Sequence, residues 1–226
     1  MITYNKNKPL ILIHIPKTAG ISVKEIYKEW FGDNLLFHYL DGANNKLPKK
    51  HDIFEIHSID NPVFVYGHFN RERNFGIEQY YPEVDQFITI LREPFEIAVS
   101  GFFYVKKVNP NWREQLNLPS GGLTEFIEQL NLGLFNYFPC DVTSENYQKV
   151  IEENFVEVGV TEFLDESMIR ISAKLGEEYI PGSLERLNTA NRDQDVTLEV
   201  KKRFIERHKL EYDVYQYVLN KYKESQ

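Results

Sequence analysis

The stretch Leu10-Ile11-Leu12-Ile13-His14-Ile15-Pro16-Lys17-Thr18-Ala19-Gly20-Ile21-Ser22 decides how the rest of the chain is interpreted. It begins with a short apolar run that is typical of a buried strand, and then passes through a proline turn and a glycine. From Ile21 onward the apolar residues have helical spacing. The stretch therefore predicts a strand, a tight loop and a helix in direct succession.

The predicted loop has the chemistry of a phosphate-binding turn. A junction of this kind directs backbone N–H groups and the positive end of a helix dipole to one point. Lys17 adds a positive charge, and the hydroxyls of Thr18 and Ser22 add two donors. The segment is not a Walker A loop, because it lacks the glycine that begins G-x-x-x-x-G-K-[ST]. An ordinary strand-to-helix turn fits the segment equally well.

A second strand, turn and helix begins at Phe87–Leu91. The strand ends in Arg92-Glu93-Pro94, and the apolar residues from Phe95 to Phe103 then have helical spacing. Arg92 follows the carboxyl end of the strand, where open α/β sheets bind ligands, and Ser100 borders the apolar helix face. The alternative interpretation is a surface salt bridge for Arg92 and a solvated Ser100.

These segments resemble those of a known enzyme family. Ile15–Ser22 resembles the 5′-phosphosulfate-binding loop of sulfotransferases, whose usual form is PKTAGTS or PKSGTT. Leu91–Pro94 with Ser100 resembles their 3′-phosphate-binding segment, an R-[DE]-P followed by a serine on the next helix. Val158–Glu162 and Leu210–Tyr215 are similar to later landmarks of the subgroup that includes carbohydrate sulfotransferases and bacterial relatives.

The resemblance implies an enzyme that moves a sulfuryl group from 3′-phosphoadenosine 5′-phosphosulfate (PAPS) to an acceptor hydroxyl, without a metal. The product of the donor is 3′,5′-bisphosphoadenosine (PAP). Lys17 would neutralise charge on the leaving phosphate oxygen. Ile21 stands where the family usually has threonine, so one phosphate hydroxyl is missing. The residues expected to bind the cofactor are Lys17, Thr18, Ala19, Gly20, Ile21, Ser22, Arg92 and Ser100. Arg192, in a polar and turn-rich segment, is a further candidate for the 3′-phosphate, although a solvated arginine fits that position better.

His68 is the candidate catalytic base. It comes directly after Gly67 at the end of the predicted strand Pro62–Tyr66, where it would point toward the same crevice as Lys17 and Arg92. By position alone, a core histidine or a cap on the next turn is favoured. The resemblance reverses this preference, because some glycan sulfotransferases supply their base from a similar G-H pair.

Composition limits the possible classes of protein. With 226 residues and 42% hydrophobic content, residues 1–226 are expected to form a single domain, which the resemblance implies is a sulfotransferase domain. The net charge of −8 argues against a broad basic surface for nucleic acid, and the single cysteine excludes an intramolecular disulfide. The polar start and the lack of a long apolar run predict no membrane span and a cytoplasmic protein.

The remaining pattern predicts the fold class. Apolar runs at Leu35–Tyr39 and Phe155–Val160 read as further strands, and helices lie between them. Thr143 or Ser144 is expected to cap a helix that runs to about Asn154, and Thr197 is expected to cap a later one. Gly32 and Gly176 are each expected to end a helix. Strands that alternate with helices predict an α/β fold with three layers, in which helices cover both faces of a central parallel sheet. The topology resembles that of P-loop NTPases.

Four questions stay open at this stage: the role of an aromatic segment, the acceptor, the oligomeric state and the choice between rival functions. The aromatic residues between Lys106 and Pro139 fit either a segment that closes over a substrate or core filling under a long connection. The acceptor can be a glycan, a lipid or a small metabolite, and the sequence does not indicate an oligomeric state. The rival functions are a small-molecule P-loop kinase and a non-catalytic nucleotide-binding relative. A kinase would need a carboxylate for Mg²⁺ where the strand ends in Arg92.

Overall fold

The computed structural model describes residues 1–44, 46–118, 122–184 and 193–224, and its centre is a five-stranded parallel sheet. The strands are β1 (Leu10–Ile13), β2 (Leu35–His38), β3 (Phe64–Gly67), β4 (Phe87–Leu91) and β5 (Phe155–Val160). Their order across the sheet is β2-β3-β1-β4-β5. This P-loop NTPase-like order makes β1 the central strand, so the loop after β1 lies between the segments that follow β3 and β4.

Helices of very different length surround the sheet. In chain order they are α1 (Gly20–Phe31), α2 (Ile53–Ile56), α3 (Ile77–Tyr80), α4 (Pro94–Val108), α5 (Trp112–Gln115), α6 (Leu123–Gln129), α7 (Tyr147–Asn154), α8 (Leu164–Leu175), α9 (Leu198–Arg207) and α10 (Lys209–Lys223). Within the described ranges, none of them has both the length and the apolar character that crossing a bilayer requires.

Both faces of the sheet are buried. Ile11 and Ile13 pack on one face with residues of α7 and α10, whereas Leu10 and Leu12 pack on the other face with residues of α1 and α8. Because successive side chains of a strand point to opposite faces, a strand covered on both sides is apolar throughout. The predicted α/β fold with three layers is therefore confirmed.

A third apolar cluster joins α4, α6 and α9 beside the sheet. Phe126 packs against this cluster, and Phe135 and Phe138 belong to the core on the α10 side. Tyr137 also packs against that core, and its ring lies 6.3 Å from the ring of His68. The aromatic residues of this long connection thus mainly fill the core.

Most predicted helix ends are confirmed, and one is wrong. Gly32 and Gly176 follow α1 and α8 with positive φ angles of 50° and 81°, and the Thr197 side chain caps α9. Neither Thr143 nor Ser144 caps α7, which begins at Tyr147. The Thr143 hydroxyl instead accepts a hydrogen bond from the backbone N–H of Glu145, which places it in the turn before the helix.

His38 ends β2 inside the core as a buried imidazole. Its ring stacks on Phe69 with centroids 4.4 Å apart, and Nε2 lies 3.0 Å from the carbonyl oxygen of Phe75. Nε2 carries the proton, because a carbonyl oxygen only accepts hydrogen bonds. Burial lowers the pKa of His38 to about 4, so the side chain is neutral in the folded protein at neutral pH.

We expect His38 to make stability depend on pH. Below the ordinary imidazole pKa of 6.5, the unfolded chain binds a proton that the folded chain does not. The free energy of unfolding then falls as pH decreases toward 4, by about 1.4 kcal/mol per pH unit. Between pH 7 and pH 5, wild type should lose about 2 kcal/mol more than His38→Leu in urea unfolding. Equal losses would contradict this assignment.

Candidate functional site

The strand order brings the predicted residues to one edge of the sheet, here called the carboxyl edge. Tyr39 follows β2, His68 follows β3, His14 follows β1 and Arg92 follows β4. Since all neighbouring strands are parallel, these residues lie side by side in the order of the strands. The carboxyl edge therefore presents tyrosine, histidine, the loop after β1 and arginine in sequence.

The loop after β1 has a constrained backbone. Lys17 and Ala19 have φ angles of 71° and 64°, a left-handed conformation that costs a non-glycine residue about 1–3 kcal/mol. Ala19 is the N-cap of α1, and its side chain makes no capping hydrogen bond. The first N–H groups of any α-helix have no partner within the helix, and the positive end of the helix dipole lies beside them. The loop thus has the geometry of an anion-binding turn.

The side chains of the loop have separate positions. Thr18 is buried, and its hydroxyl donates a hydrogen bond to the Ile15 carbonyl oxygen at 2.8 Å. The hydroxyl therefore holds the loop together, so its contribution to an anion would come from its backbone N–H. Ile21 and Ser22 lie in the first turn of α1, where Ile21 is 51% exposed.

Gly20 is required by a close approach to His14. A Cβ atom at position 20 would lie 1.8 Å from Nε2 of His14, inside the imidazole ring. The His14 ring in turn stacks on Tyr66 with centroids 5.3 Å apart, and its Nδ1 lies 2.9 Å from the hydroxyl of Tyr39. The histidine therefore cannot move aside without breaking these contacts.

Lys17 and Arg92 are brought together at the carboxyl edge. Nη1 of Arg92 donates a hydrogen bond to the backbone oxygen of Lys17 at 3.2 Å, and Nη2 contacts Glu96 Oε2 at 3.1 Å. The Lys17 ammonium lies 4.0 Å from the ring centroid of Tyr104. The predicted convergence of the two strand ends is confirmed by these contacts, whereas the roles of the side chains toward a ligand stay predictions.

One face of α4 lies beside Lys17 and Arg92. Glu96, Ser100 and Tyr104 are four residues apart, so their side chains share a helix face. Glu96 contacts Arg92 and Tyr104 contacts Lys17, which places Ser100 between the two cations along the helix. Arg192, the other residue expected near the 3′-phosphate, lies outside the described residues.

The electrostatics around Lys17 favour an anion. Partial burial lowers the pKa of Lys17, and the nearby positive charges of Arg92 and Lys107 lower it further. A cation near other cations is stabilised when a negative charge enters the site. A bound phosphate or sulfate would therefore restore the pKa of Lys17 toward its ordinary value.

His68 is held as a neutral imidazole with a defined tautomer. Nδ1 lies 2.6 Å from the carbonyl oxygen of His14, so Nδ1 carries the proton and Nε2 carries the lone pair. The ring packs against those of His14 and Tyr39, at centroid distances of 4.3 and 4.9 Å. Burial lowers the pKa of His68, although the hydrogen bond to His14 opposes part of this effect. Nε2 is thus suited to accept a proton.

Sequence reasoning missed His14, Tyr39 and Tyr104. Burial lowers the pKa of His14 to about 2, and the neighbouring His68, Lys24 and Lys17 contribute to this shift. One signal was available for His14, because it is the first polar residue after the apolar run of the central strand. The aromatic side chains gave no comparable signal.

The turn that carries Arg92 is braced from two sides. The carboxylate of Glu93 accepts hydrogen bonds from the N–H of Glu96 at 2.7 Å and from the hydroxyl of Tyr212 at 2.5 Å. The N–H of Glu93 donates to Glu162 Oε1 at 3.1 Å. Burial raises the pKa of Tyr212 far above its ordinary range, and the Glu93 carboxylate adds to the shift, so the phenol stays a donor. Val158–Glu162 and Leu210–Tyr215, the two segments that resemble later sulfotransferase landmarks, both contact this turn.

Space beneath the loop is too small for a ligand. A cavity of about 10 Å³ lies between the loop and the sheet, lined by side chains that include Thr18, Tyr66 and Thr89. Such a volume holds at most one water molecule. A nucleotide at this edge would consequently bind on the solvent side of the loop.

Comparisons with known proteins give similar backbones at low identity. No family model matches the chain. No curated protein matches it either. The mouse sulfotransferase SULT7A1 complexed with PAP is 17% identical with a TM-score of 0.47, and the match covers 90% of this chain and 65% of that one. A sulfotransferase from Alicyclobacillus acidocaldarius is 12% identical with a TM-score of 0.45, covering 92% of this chain and 96% of that one. This chain therefore matches 65% of the length of the mouse protein.

We expect Gly20→Ala to disrupt the loop, because the added methyl group would overlap the His14 ring. Overpacking of this kind costs about 1–3 kcal/mol or more in urea unfolding. Gly101→Ala in α4 is the matched control, since a Cβ atom there would meet nothing within 4 Å. That control should stabilise the protein by about 1 kcal/mol, as alanine is favoured over glycine in a helix.

The double variant His14→Ala/Gly20→Ala separates this clash from a general effect on α1. Removing the imidazole makes room for the methyl group, so Gly20→Ala should cost much less in the His14→Ala background. An equal cost in both backgrounds would show that the contact with His14 is not the reason for glycine.

Proposed function

We propose that this protein is a PAPS-dependent sulfotransferase that transfers the sulfuryl group to an acceptor hydroxyl by metal-free, in-line displacement. The observation that carries the proposal is the contact between the Arg92 guanidinium and the backbone of Lys17. It joins two cationic strand ends, and His68, whose neutral imidazole has the tautomer of a base, follows the strand on the other side of β1. A doubly phosphorylated nucleotide and a hydroxyl compound that gives up a proton are the partners that this combination suits.

The donor would lie along the β1 and β4 half of the carboxyl edge. Backbone N–H groups from Thr18 to Ser22 would surround the 5′-phosphate in front of α1, as helix N-termini do for anions. Lys17 would stabilise the charge that develops on the bridging oxygen as it leaves. Arg92 and Ser100 would bind the 3′-phosphate, and the Glu96 carboxylate would yield its contact with Arg92.

The transfer itself needs mainly correct positioning of donor and acceptor and stabilisation of the charge on the leaving oxygen. The acceptor oxygen forms a bond to sulfur while the bond between sulfur and the bridging phosphate oxygen breaks. The proton of the acceptor hydroxyl moves to Nε2 of His68, and PAP leaves as the other product. The hydrogen bond from Nδ1 of His68 to His14 stabilises the imidazolium that forms.

A P-loop kinase fits this site less well. Kinases of that class hold Mg²⁺ with a loop hydroxyl and a carboxylate at a neighbouring strand end. Here the Thr18 hydroxyl donates to Ile15, and the residue at the end of β4 is Arg92. The adjacent Glu93 carboxylate is used by the N-terminus of α4 and by Tyr212. A non-catalytic nucleotide-binding relative is separated from the proposal by the second experiment below.

Binding of PAP is the first test of the proposal. At about 100 times its dissociation constant, PAP should stabilise the protein by about 2.7 kcal/mol, whereas ATP with Mg²⁺ should give no comparable shift. Arg92→Gln should lower the affinity for PAP and leave that for adenosine 5′-monophosphate, which lacks the 3′-phosphate, unchanged. Arg113→Gln, on the exposed surface of α5, is the matched control. Stabilisation by ATP and Mg²⁺ alone would favour the kinase.

Catalysis is tested with sulfur-labelled PAPS on the best acceptor from a panel of sugars, phenols and lipid head groups. Lys17→Ala and His68→Gln should each lower turnover by about 100-fold or more and retain PAP binding. Because burial lowers the pKa of His68, the base form predominates above pH 6.5, and turnover should fall only below that value. Full activity is expected in the presence of EDTA. PAP binding without any transfer would favour the non-catalytic relative.

A further inference from the structure

The strand order divides the carboxyl edge into a donor half and a second half. Lys17 and Arg92 follow β1 and β4, whereas His68 and Tyr39 follow β3 and β2 on the other side of the central strand. Neighbouring strands are about 4.8 Å apart, so β3 and β4, on either side of β1, are about 10 Å apart. If the donor spans Lys17 and Arg92, as the proposed function requires, the acceptor must reach His68 from the β2 side.

A cation held by two aromatic rings lies on that side. The ammonium of Lys24, on α1, is 4.7 Å from the ring centroid of Phe37 and 5.7 Å from that of Tyr39. Both distances are within the range of cation–π attraction. The Tyr39 ring in turn lies 4.9 Å from the ring of His68 and 6.0 Å from that of His14. Lys24 is thus connected to the candidate base through a single side chain.

The charge of Lys24 is not neutralised within the part of the chain that the structure describes. No carboxylate there forms an ion pair with it, whereas Lys28, one turn further along α1, pairs with Glu25 at 3.0 Å. Aromatic rings attract a cation but carry no net charge. Arg73 adds a second positive charge near His68 and contributes to its lowered pKa. Lys24 therefore places on the β2 side of the base a positive charge that has no carboxylate partner among the described residues.

We infer that Lys24, Phe37 and Tyr39 form the acceptor subsite, and that the acceptor is a hydroxyl compound with a ring and a fixed negative charge. The partly exposed Phe37 and the Tyr39 ring, whose planes are 33° apart, offer an apolar surface for the ring of the acceptor. Lys24 supplies the counter-charge for a carboxylate or a similar group. The hydroxyl that receives the sulfuryl group then faces His68. This inference rests on the proposed function, which fixes the donor half.

The experiment compares two pairs of probes that differ only in charge. They are 4-hydroxyphenylacetate with 4-hydroxyphenylacetamide, and methyl glucuronide with methyl glucuronamide. Each is titrated by calorimetry into the protein saturated with PAP. The anionic member of at least one pair should bind about tenfold more tightly, the size expected for a hydrogen bond to a charged group. The pair that responds also distinguishes a phenolic from a sugar acceptor.

Variants assign this preference to Lys24. Lys24→Met should remove the tenfold difference and leave PAP binding unchanged, and Lys24→Arg should retain the preference because it keeps the charge. Lys28→Met is the matched control on the same helix and should behave as wild type. A preference that survives in Lys24→Met, equal binding within both pairs, or no binding by any probe would overturn the inference.

Failure of the inference is distinguishable from failure of the proposed function. PAP binding is measured before any probe is added, so a protein that does not bind PAP contradicts the donor assignment alone. In that case the probes are titrated into the protein without PAP, and the anionic member of at least one pair should again bind about tenfold more tightly. Normal PAP binding without a charge preference contradicts the acceptor subsite and leaves the donor site intact.

Discussion

The hydrogen bond from Arg92 to the backbone oxygen of Lys17 joins two loops that are 75 residues apart in the chain. It exists because β1 and β4 are neighbours in the sheet, so the segments after them end side by side. The contact also brings together cations that repel each other, and this repulsion is reflected in the lowered pKa of Lys17. A negative charge would relieve this repulsion, which is the physical basis of the anion binding proposed for this site.

The loop between β1 and α1 has a strained backbone and no room for a side chain at Gly20. Two non-glycine residues have left-handed backbone conformations, and no side chain is tolerated at Gly20 because the His14 ring is already there. Such strain persists only when the surrounding structure fixes the backbone. Here the fixing elements are the buried central strand, the stacked Tyr66 ring and the hydrogen bond of the Thr18 hydroxyl. The result is a row of backbone N–H groups that is in place before a ligand arrives.

Burial also determines the protonation of the histidines at the carboxyl edge. His14 and His68 lie against each other among lysines, and desolvation keeps both imidazoles neutral. The carbonyl oxygen of His14 fixes the tautomer of His68, so a backbone atom of the central strand orients the candidate base. On the opposite side, Tyr212 from the last helix orients the turn that carries Arg92. Strands at the centre and a helix from the end of the chain thus hold the two halves of the site.

The sequence alone determined the strands, because a strand buried on both faces must be apolar throughout. It also placed the loop, Arg92 and His68 after those strands, and the resemblance to sulfotransferases singled them out as candidate site residues. It located most helix ends, but Thr143 was misassigned because a hydroxyl can accept from several nearby N–H groups. Only the tertiary structure decided the tautomer of His68, the packing of His14 on Gly20 and the position of Lys24 between two rings. These features depend on contacts between different elements, whose geometry follows from the strand order and has no local pattern in the chain.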